Sequence, residues 1–232
     1  MQTPRERNRA RIMADITRVG REHLISDGAA ALSLRAVTRD LGMVSSAVYR
    51  YVRNRDELLT LLVVDAYDEL ADRVDAALAV VSPEAYRERF TVIGRAVRTW
   101  ALAEPARWAL LYGSPVPGYA APEDRTTQPG TRVITRLLEL LEQASAAGAI
   151  TSQPIPKPGR ALAADLKQIR GDFGLRSTSG SLLARGVLAW SALLGVISSE
   201  LFGVYGAATF SAPGELFDHQ VSLLADVTGF QR

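Results

Sequence analysis

Between Leu32 and Leu58 the chain reads LSLRAVTRDLGMVSSAVYRYVRNRDEL, and within it Ser45, Ser46, Tyr49, Arg50 and Arg53 share one face of a helix. That face is polar, aromatic and cationic. Its hydroxyls, phenol and guanidinium groups suit hydrogen bonding and attraction to anions, with no acid–base pair that would serve catalysis. Val48 and Val52, four apart, take the opposite side and face inward.

The neighbouring residues are those needed to hold such a face in place. Ser33 is a good N-cap, and Leu34, Val37 and Leu41 recur at three and four to give a helix of about two turns with one apolar stripe. Gly42 ends it, since glycine adopts positive φ without a Cβ penalty, and Met43 tucks under the reversed chain. A second helix follows from Ser45. Asn54 then caps a third, with Asp56 and Glu57 in the first turn where the helix dipole favours negative charge. Two short helices joined by a tight turn describe the helix-turn-helix, which lays its second helix in the DNA major groove. A solvated helical hairpin has the same spacing.

Charge favours the first of these. Residues 1–60 hold 11 arginines against seven acids, a balance of +4, while the whole chain carries only +2. The positive excess therefore lies with the helix-turn-helix, as contact with phosphate requires. Cysteine is absent, which excludes disulfides, a thiol nucleophile and a Cys-ligated zinc site. No secretion signal follows Arg5, Arg7, Arg9 and Arg11, so a cytoplasmic location is expected. His23 and His219 fall in no HExxH, GxSxG, GxGxxG or P-loop spacing, and Glu139 and Glu142 share a helix face with Arg136 as a solvated salt-linked set. No enzyme, metal or cofactor is expected.

Ile16, Gly20, Leu24 and Gly28, then LSLRAV, LG, AVYRYV and NRDEL, resemble in order and separation the N-terminal domain of the TetR family of one-component transcriptional regulators. Val44 stands in place of the usual capping Ser or Thr, Val52 in place of Phe, and Arg55 in place of Lys. The resemblance implies a homodimer on a palindromic double-stranded operator, usually a repressor, released when a small molecule enters the C-terminal domain. Matched position by position, it implies phosphate contacts from Ser33, Arg35 and Arg55, base-edge contacts from Ser45, Ser46 and Arg50, and DNA contacts from Tyr49 and Tyr51. Val48 matches a core position.

The remainder reads as all-α, an N-terminal three-helix DNA-binding domain at 1–58 and a larger helical ligand-binding and dimerisation domain at 59–232. The first helix is expected from Arg7 to Ser26, and a fourth runs from Arg55 to Val80 without a breaker, a rod between the two domains. Others follow over Pro83–Ala103, Pro105–Tyr112, Thr131–Ala147, Arg160–Asp172, Ser181–Tyr205 and Pro213–Thr228. Gly113–Gly130, with four prolines and three glycines, reads as a long loop, either a lid or a disordered connector.

Between Arg185 and Glu215 the only charge is Glu200, long enough for a membrane span, but a mid-span glutamate and three serines argue for a buried helix instead. Small residues Gly186, Ala189, Ala192 and Gly195 at three-residue steps suggest a helix–helix contact with a second subunit. AWSALLGVISSELFG resembles the Trp-His-Gly type of C-terminal domain in some TetR relatives, with Leu194 in the histidine's place, and EPARWALLYGSPVPGYAAP resembles their sixth helix and following loop. Phe90, Trp100, Trp108, Tyr112, Tyr119, Phe173 and Trp190 are candidate walls for a hydrophobic effector, or plain core. A helical DNA-binding or protein-interaction module with no small-molecule response is the alternative.

Overall fold

A computed structural model describes residues 3–151, 156–206 and 208–231 of the chain. Ten helices are present among the described residues: α1 Pro4–Ala31, α2 Leu34–Asp40, α3 Ser45–Val48, α4 Arg55–Leu78, α5 Tyr86–Ala103, α6 Pro105–Tyr112, α7 Glu123–Ala146, α8 Arg160–Asp172, α9 Gly180–Leu201 and α10 Pro213–Thr228. The all-α reading holds, and the one β feature described is an isolated antiparallel bridge between Ile150 and Phe230. Most boundaries lie within a few residues of those read from the sequence. Two do not. α3 is a single turn, and α7 starts eight residues early.

The chain forms two compact units, residues 1–69 with 104–130, and residues 70–103 with 131–232. The division differs from a single cut after residue 58 because α6 and the segment after it pack with the N-terminal helices. The reason is a buried cation. Arg107, 1% exposed, donates to the Glu69 carboxylate at 2.7 Å and to the Asp65 carboxylate at 3.0 Å and carbonyl at 3.1 Å. Arg21 on α1 binds the same Asp65 through Nε at 2.7 Å and Nη2 at 2.6 Å. α1, α4 and α6 are thus held by one shared carboxylate, and α6 cannot leave without stranding charge in the interior. Trp108, fully buried, packs against Tyr112 with the rings tilted by 50° and their centres 4.6 Å apart, and Tyr112 meets Tyr67 of α4 edge-on at 6.2 Å.

The proline-rich segment is ordered against this unit. Val116 and Tyr119 pack on its core, and the Tyr119 and Thr60 hydroxyls lie 3.0 Å apart. Only residues 113–122 are non-helical; α7 then continues through Pro129, at the cost of one backbone donor. Pro129 is buried, and a Cβ on Gly130 would come within 3.2 Å of the Tyr67 ring, so tertiary packing stabilises a turn that composition reads as loop.

In the second unit α9 packs on α5, α8 and α10. A Cβ on Gly94 of α5 would sit 3.3 Å from Val221 and 3.4 Å from Leu193, which lets α5 approach both long C-terminal helices closely. Glu200 accepts from both Nε (2.7 Å) and Nη2 of Arg98, so the single charge in the apolar stretch is paired inside the unit. Among the described residues α9 is the one helix long and apolar enough to cross a bilayer. The small-residue ladder divides between two faces. Gly186 and Ala189 point inward, Gly186 against Leu141, whereas Gly195 is exposed with open space at its Cβ position. A three-residue step drifts around a 3.6-residue helix, so the four positions do not form one stripe.

Glu142 departs from the solvated role expected of it. Its carboxylate accepts from the backbone N–H groups of Arg176 (2.9 Å), Ser177 (2.6 Å) and Thr178 (2.8 Å) and from the Thr178 hydroxyl (2.9 Å), fixing the approach to α9. Burial alone would raise its pKa, but these donors outweigh it and the net shift is downward. Glu139 does pair with Arg136, at 2.9 Å.

Removing Arg107 takes one cation from Asp65 and Glu69, which stay paired with Arg21 at 2.6 and 3.3 Å. Arg107→Met should therefore cost about 1.5–3 kcal/mol in urea denaturation, the range for a lost charged hydrogen bond. A loss below about 1 kcal/mol would mean that the first unit does not depend on this network.

Candidate nucleic-acid interface

The surface built by α2 and α3 rests on a core of Ile16, Val19, Leu34, Val37, Val48, Val52, Leu58 and Leu62, each at most 5% exposed. Ser33 caps α2, its Oγ accepting from the Ala36 N–H at 3.5 Å, and Gly42 takes φ +64° at the turn, as the spacing requires. At the far end of α2, Asp40 receives His23 Nε2 at 2.7 Å, which ties α2 back to α1. The His23 contact, with Arg39 behind it, holds the Asp40 carboxyl below its usual range. His23 is thus a structural strut.

α3 is short for a local reason. Val44 precedes it 72% exposed, and its side chain has no oxygen to accept the free N–H groups of the first turn. The chain then continues as turn through Tyr51, held by bonds from the Tyr51 and Val52 N–H groups to the Val48 carbonyl at 2.8 and 3.0 Å. Val48 and Val52 are buried, which leaves Ser46, Tyr49 and Arg50 exposed on the other side. Ser45 opens α3, its side chain lying outside the described residues. Arg35 is exposed on α2, and Tyr51 is half-buried with the Arg9 guanidinium 5.5 Å from its ring centre.

Arg55 has a partner set that spacing could not show. Its Nε donates to the Leu32 carbonyl at 3.1 Å, and Nη2 donates to those of Ala29 and Ala30 at 2.9 and 3.0 Å. It therefore closes the end of α1, where Gly28 at φ +75° has broken the helix and left carbonyls without helical donors. The next turn is capped by Asn54, which accepts from the Glu57 N–H at 2.8 Å, while Glu57 reaches back to the Arg53 N–H at 2.7 Å. That backbone bond is the main cause of a lowered Glu57 pKa.

The candidate effector-binding aromatics are divided between the two units. Trp108 and Tyr112 belong to the first unit, Phe90 and Trp100 to the buried core of the second, Trp190 is half-buried on α9, and Phe173 is 41% exposed beyond α8. Among the described residues, no cluster of three or more His, Asp or Glu side chains is arranged to hold a metal ion.

A rigid helix-turn-helix with a polar, cationic outer face is a DNA-binding arrangement. Residues 90–224 match the family model described as the tetracyclin repressor-like C-terminal domain. The chain belongs to the TetR family of transcriptional regulators. It is 48% identical to the HTH-type transcriptional regulator Rv1816 of Mycobacterium tuberculosis over 94% of this chain and 93% of that protein. The crystal structure of a regulatory protein designated SCO4313 superposes with a TM-score of 0.76 at 36% identity, covering 97% of this chain and all of the other. A tetR-family regulatory protein from Rhodococcus RHA1 shares the fold alone, with a TM-score of 0.61 at 16% identity over 95% and 98% of the two chains. This TetR-family protein is accordingly a DNA-binding transcriptional regulator, a non-enzymatic class.

Two outcomes follow for the regulator. Tyr49→Ala removes an exposed ring and should weaken DNA binding with an unchanged melting temperature, whereas Arg55→Ala should lower the melting temperature, because it strands the carbonyls at the end of α1; the two variants are compared by thermal denaturation and DNA titration. Glu57 and Asp40 have folded-state pKa values below their unfolded ones, so the stability they contribute is present above about pH 4 and lost as pH falls through the folded values. Circular dichroism across pH 2–6, a range of roughly two pH units on either side of 4, should show a weaker acid-induced loss in Glu57→Gln than in the parent protein.

Proposed function

We propose that the protein is a cytoplasmic homodimeric repressor that binds a palindromic operator through Ser33, Arg35, Ser45, Ser46, Tyr49, Arg50 and Tyr51, with Arg55 bracing the end of α1 behind them, and leaves it when a small hydrophobic ligand binds the C-terminal domain. The observation that carries the DNA-binding part is the exposure of Ser46, Tyr49 and Arg50 over a fully buried Val48. A side chain reads base edges only if its backbone is held still, and the buried valines hold it.

The dimer reading is supported by apolar side chains on the outer faces of the last two long helices. Val187 and Leu188 on α9 are 46% and 54% exposed, and Leu223 and Val227 on α10 are 49% and 43% exposed. Such faces are suited to a second copy of the chain, and two-fold symmetry would match a palindromic operator. The contact assigned to the small-residue ladder thus falls to Val187, Leu188, Gly195, Leu223 and Val227. Gly195→Trp, which finds open space within the protomer, should separate the subunits by light scattering. A monomeric wild-type protein at micromolar concentration would refute the dimer.

The ligand part rests on the family's C-terminal domain and on the finer likeness to its Trp-His-Gly type, with Leu194 in the histidine's place. An apolar effector fits walls such as Trp100 and Trp190. In this reading the ligand acts through α4, which runs unbroken from Arg55 to Leu78. The second reading is a DNA-binding module with no small-molecule response. Selection from random duplexes should yield a palindrome whose half-sites lie about one turn apart, roughly 34–36 Å. Hydrophobic compounds that raise the melting temperature should then weaken that duplex by about 5- to 150-fold. Compounds that stabilise the protein and leave DNA affinity unchanged would support the second reading.

A further inference from the structure

The resemblance assigns to Arg55 a phosphate contact at the start of α4, yet in this chain its Nε and Nη2 are taken by three backbone carbonyls of residues 29, 30 and 32. Its remaining nitrogen, Nη1, lies 3.8 Å from Asp56. Two residues earlier stands a cation in the opposite situation. Arg53 directly follows the turn that ends the recognition segment, and its side chain is 82% exposed. Glu57 Oε2 accepts both the Arg53 backbone N–H at 2.7 Å and its Nε–H at 3.1 Å. One carboxylate oxygen thereby fixes the root and the neck of a largely exposed side chain, whose two terminal nitrogens carry four further N–H donors.

We propose that Arg53 is the phosphate-contacting residue at this edge of the DNA-binding surface, and that Glu57 is the positioning residue that aims it. This rests on the DNA-binding reading and names a contact within it. A free arginine gives up side-chain entropy when it is immobilised on a phosphate, whereas one already held at Nε gives up less. Glu57 does not cancel the local positive charge, because its other oxygen, Oε1, faces Arg125 at 3.9 Å, so the Arg53–Glu57–Arg125 set is net positive. Glu57 lies in the first turn of α4, and one turn on, Thr60 meets the Tyr119 hydroxyl at 3.0 Å.

Phosphate binding and structural support leave different signatures. On the duplex enriched by the wild-type protein from a random pool, Arg53→Ala should lower affinity roughly tenfold and make the slope of log K against log salt shallower by about 0.9 for each phosphate no longer neutralised. Melting temperature should not change. Affinity for an unrelated duplex of equal length should fall by the same factor, because a phosphate contact carries no sequence information. Arg53→Lys should recover the salt slope, since a lysine keeps the charge, with only part of the affinity, since it lacks the Nε–H that Glu57 holds. Glu57→Gln, which keeps an acceptor for the backbone N–H, should give an intermediate loss of affinity at near-normal stability. The proposal is overturned if Arg53→Ala leaves affinity and slope unchanged, or if Arg55→Ala makes the slope shallower at an unchanged melting temperature. A wild-type protein that enriches no duplex would remove both this assignment and the operator reading beneath it.

Discussion

A four-residue helix cannot be stable by itself in water, because fixing the first turn costs more conformational entropy than its few hydrogen bonds return. The recognition segment of this regulator is such a helix, α3, and every other feature of the first unit can be understood as a means of holding it. Val48 and Val52 anchor it from below, Gly42 sets the entry, and Asn54 with Glu57 sets the exit. The missing oxygen at Val44 makes this dependence greater, since the start of the helix is not capped by a side chain.

The charge placement follows a similar division of labour. Arginines that face inward are structural: Arg107 and Arg21 share Asp65, and Arg55 closes the broken end of α1. Arg35, Arg50 and Arg53 face outward and are the cations on which the proposed DNA contact draws. A net charge of +2 over the whole chain conceals the local excess of +4 over residues 1–60. In the second unit Arg98 with Glu200 does for α9 what Arg107 with Asp65 does for α6, placing a charge in an otherwise apolar helix by pairing it with a neighbour.

The helix-turn-helix was legible in the sequence because its determinants are local. A cap, a glycine and apolar residues at three and four lie within a few positions of one another, and the structure places Ser33, Gly42, Val48 and Asn54 where those rules put them. The partners of Arg55 were not legible, since carbonyls more than 20 residues away become its acceptors only through the fold. Pro129 and Gly130 read as loop punctuation, yet both lie within α7, and the Tyr67 ring, some 60 positions earlier, packs against Gly130. The small-residue ladder misled for a different reason. Spacing says that Gly186 and Gly195 are small, but which one faces Leu141 and which faces outward depends on how α9 is rotated in its unit.

Hydrogen–deuterium exchange of the full chain, with and without the duplex it selects, tests at the level of segments whether α2 and α3 form the surface that meets DNA, with the first unit as its support. Peptides spanning Ser33 to Asn54 should gain the largest protection when DNA is bound. Protection concentrated in α7 to α10, with residues 33–54 exchanging as in the free protein, would mean that DNA meets another surface.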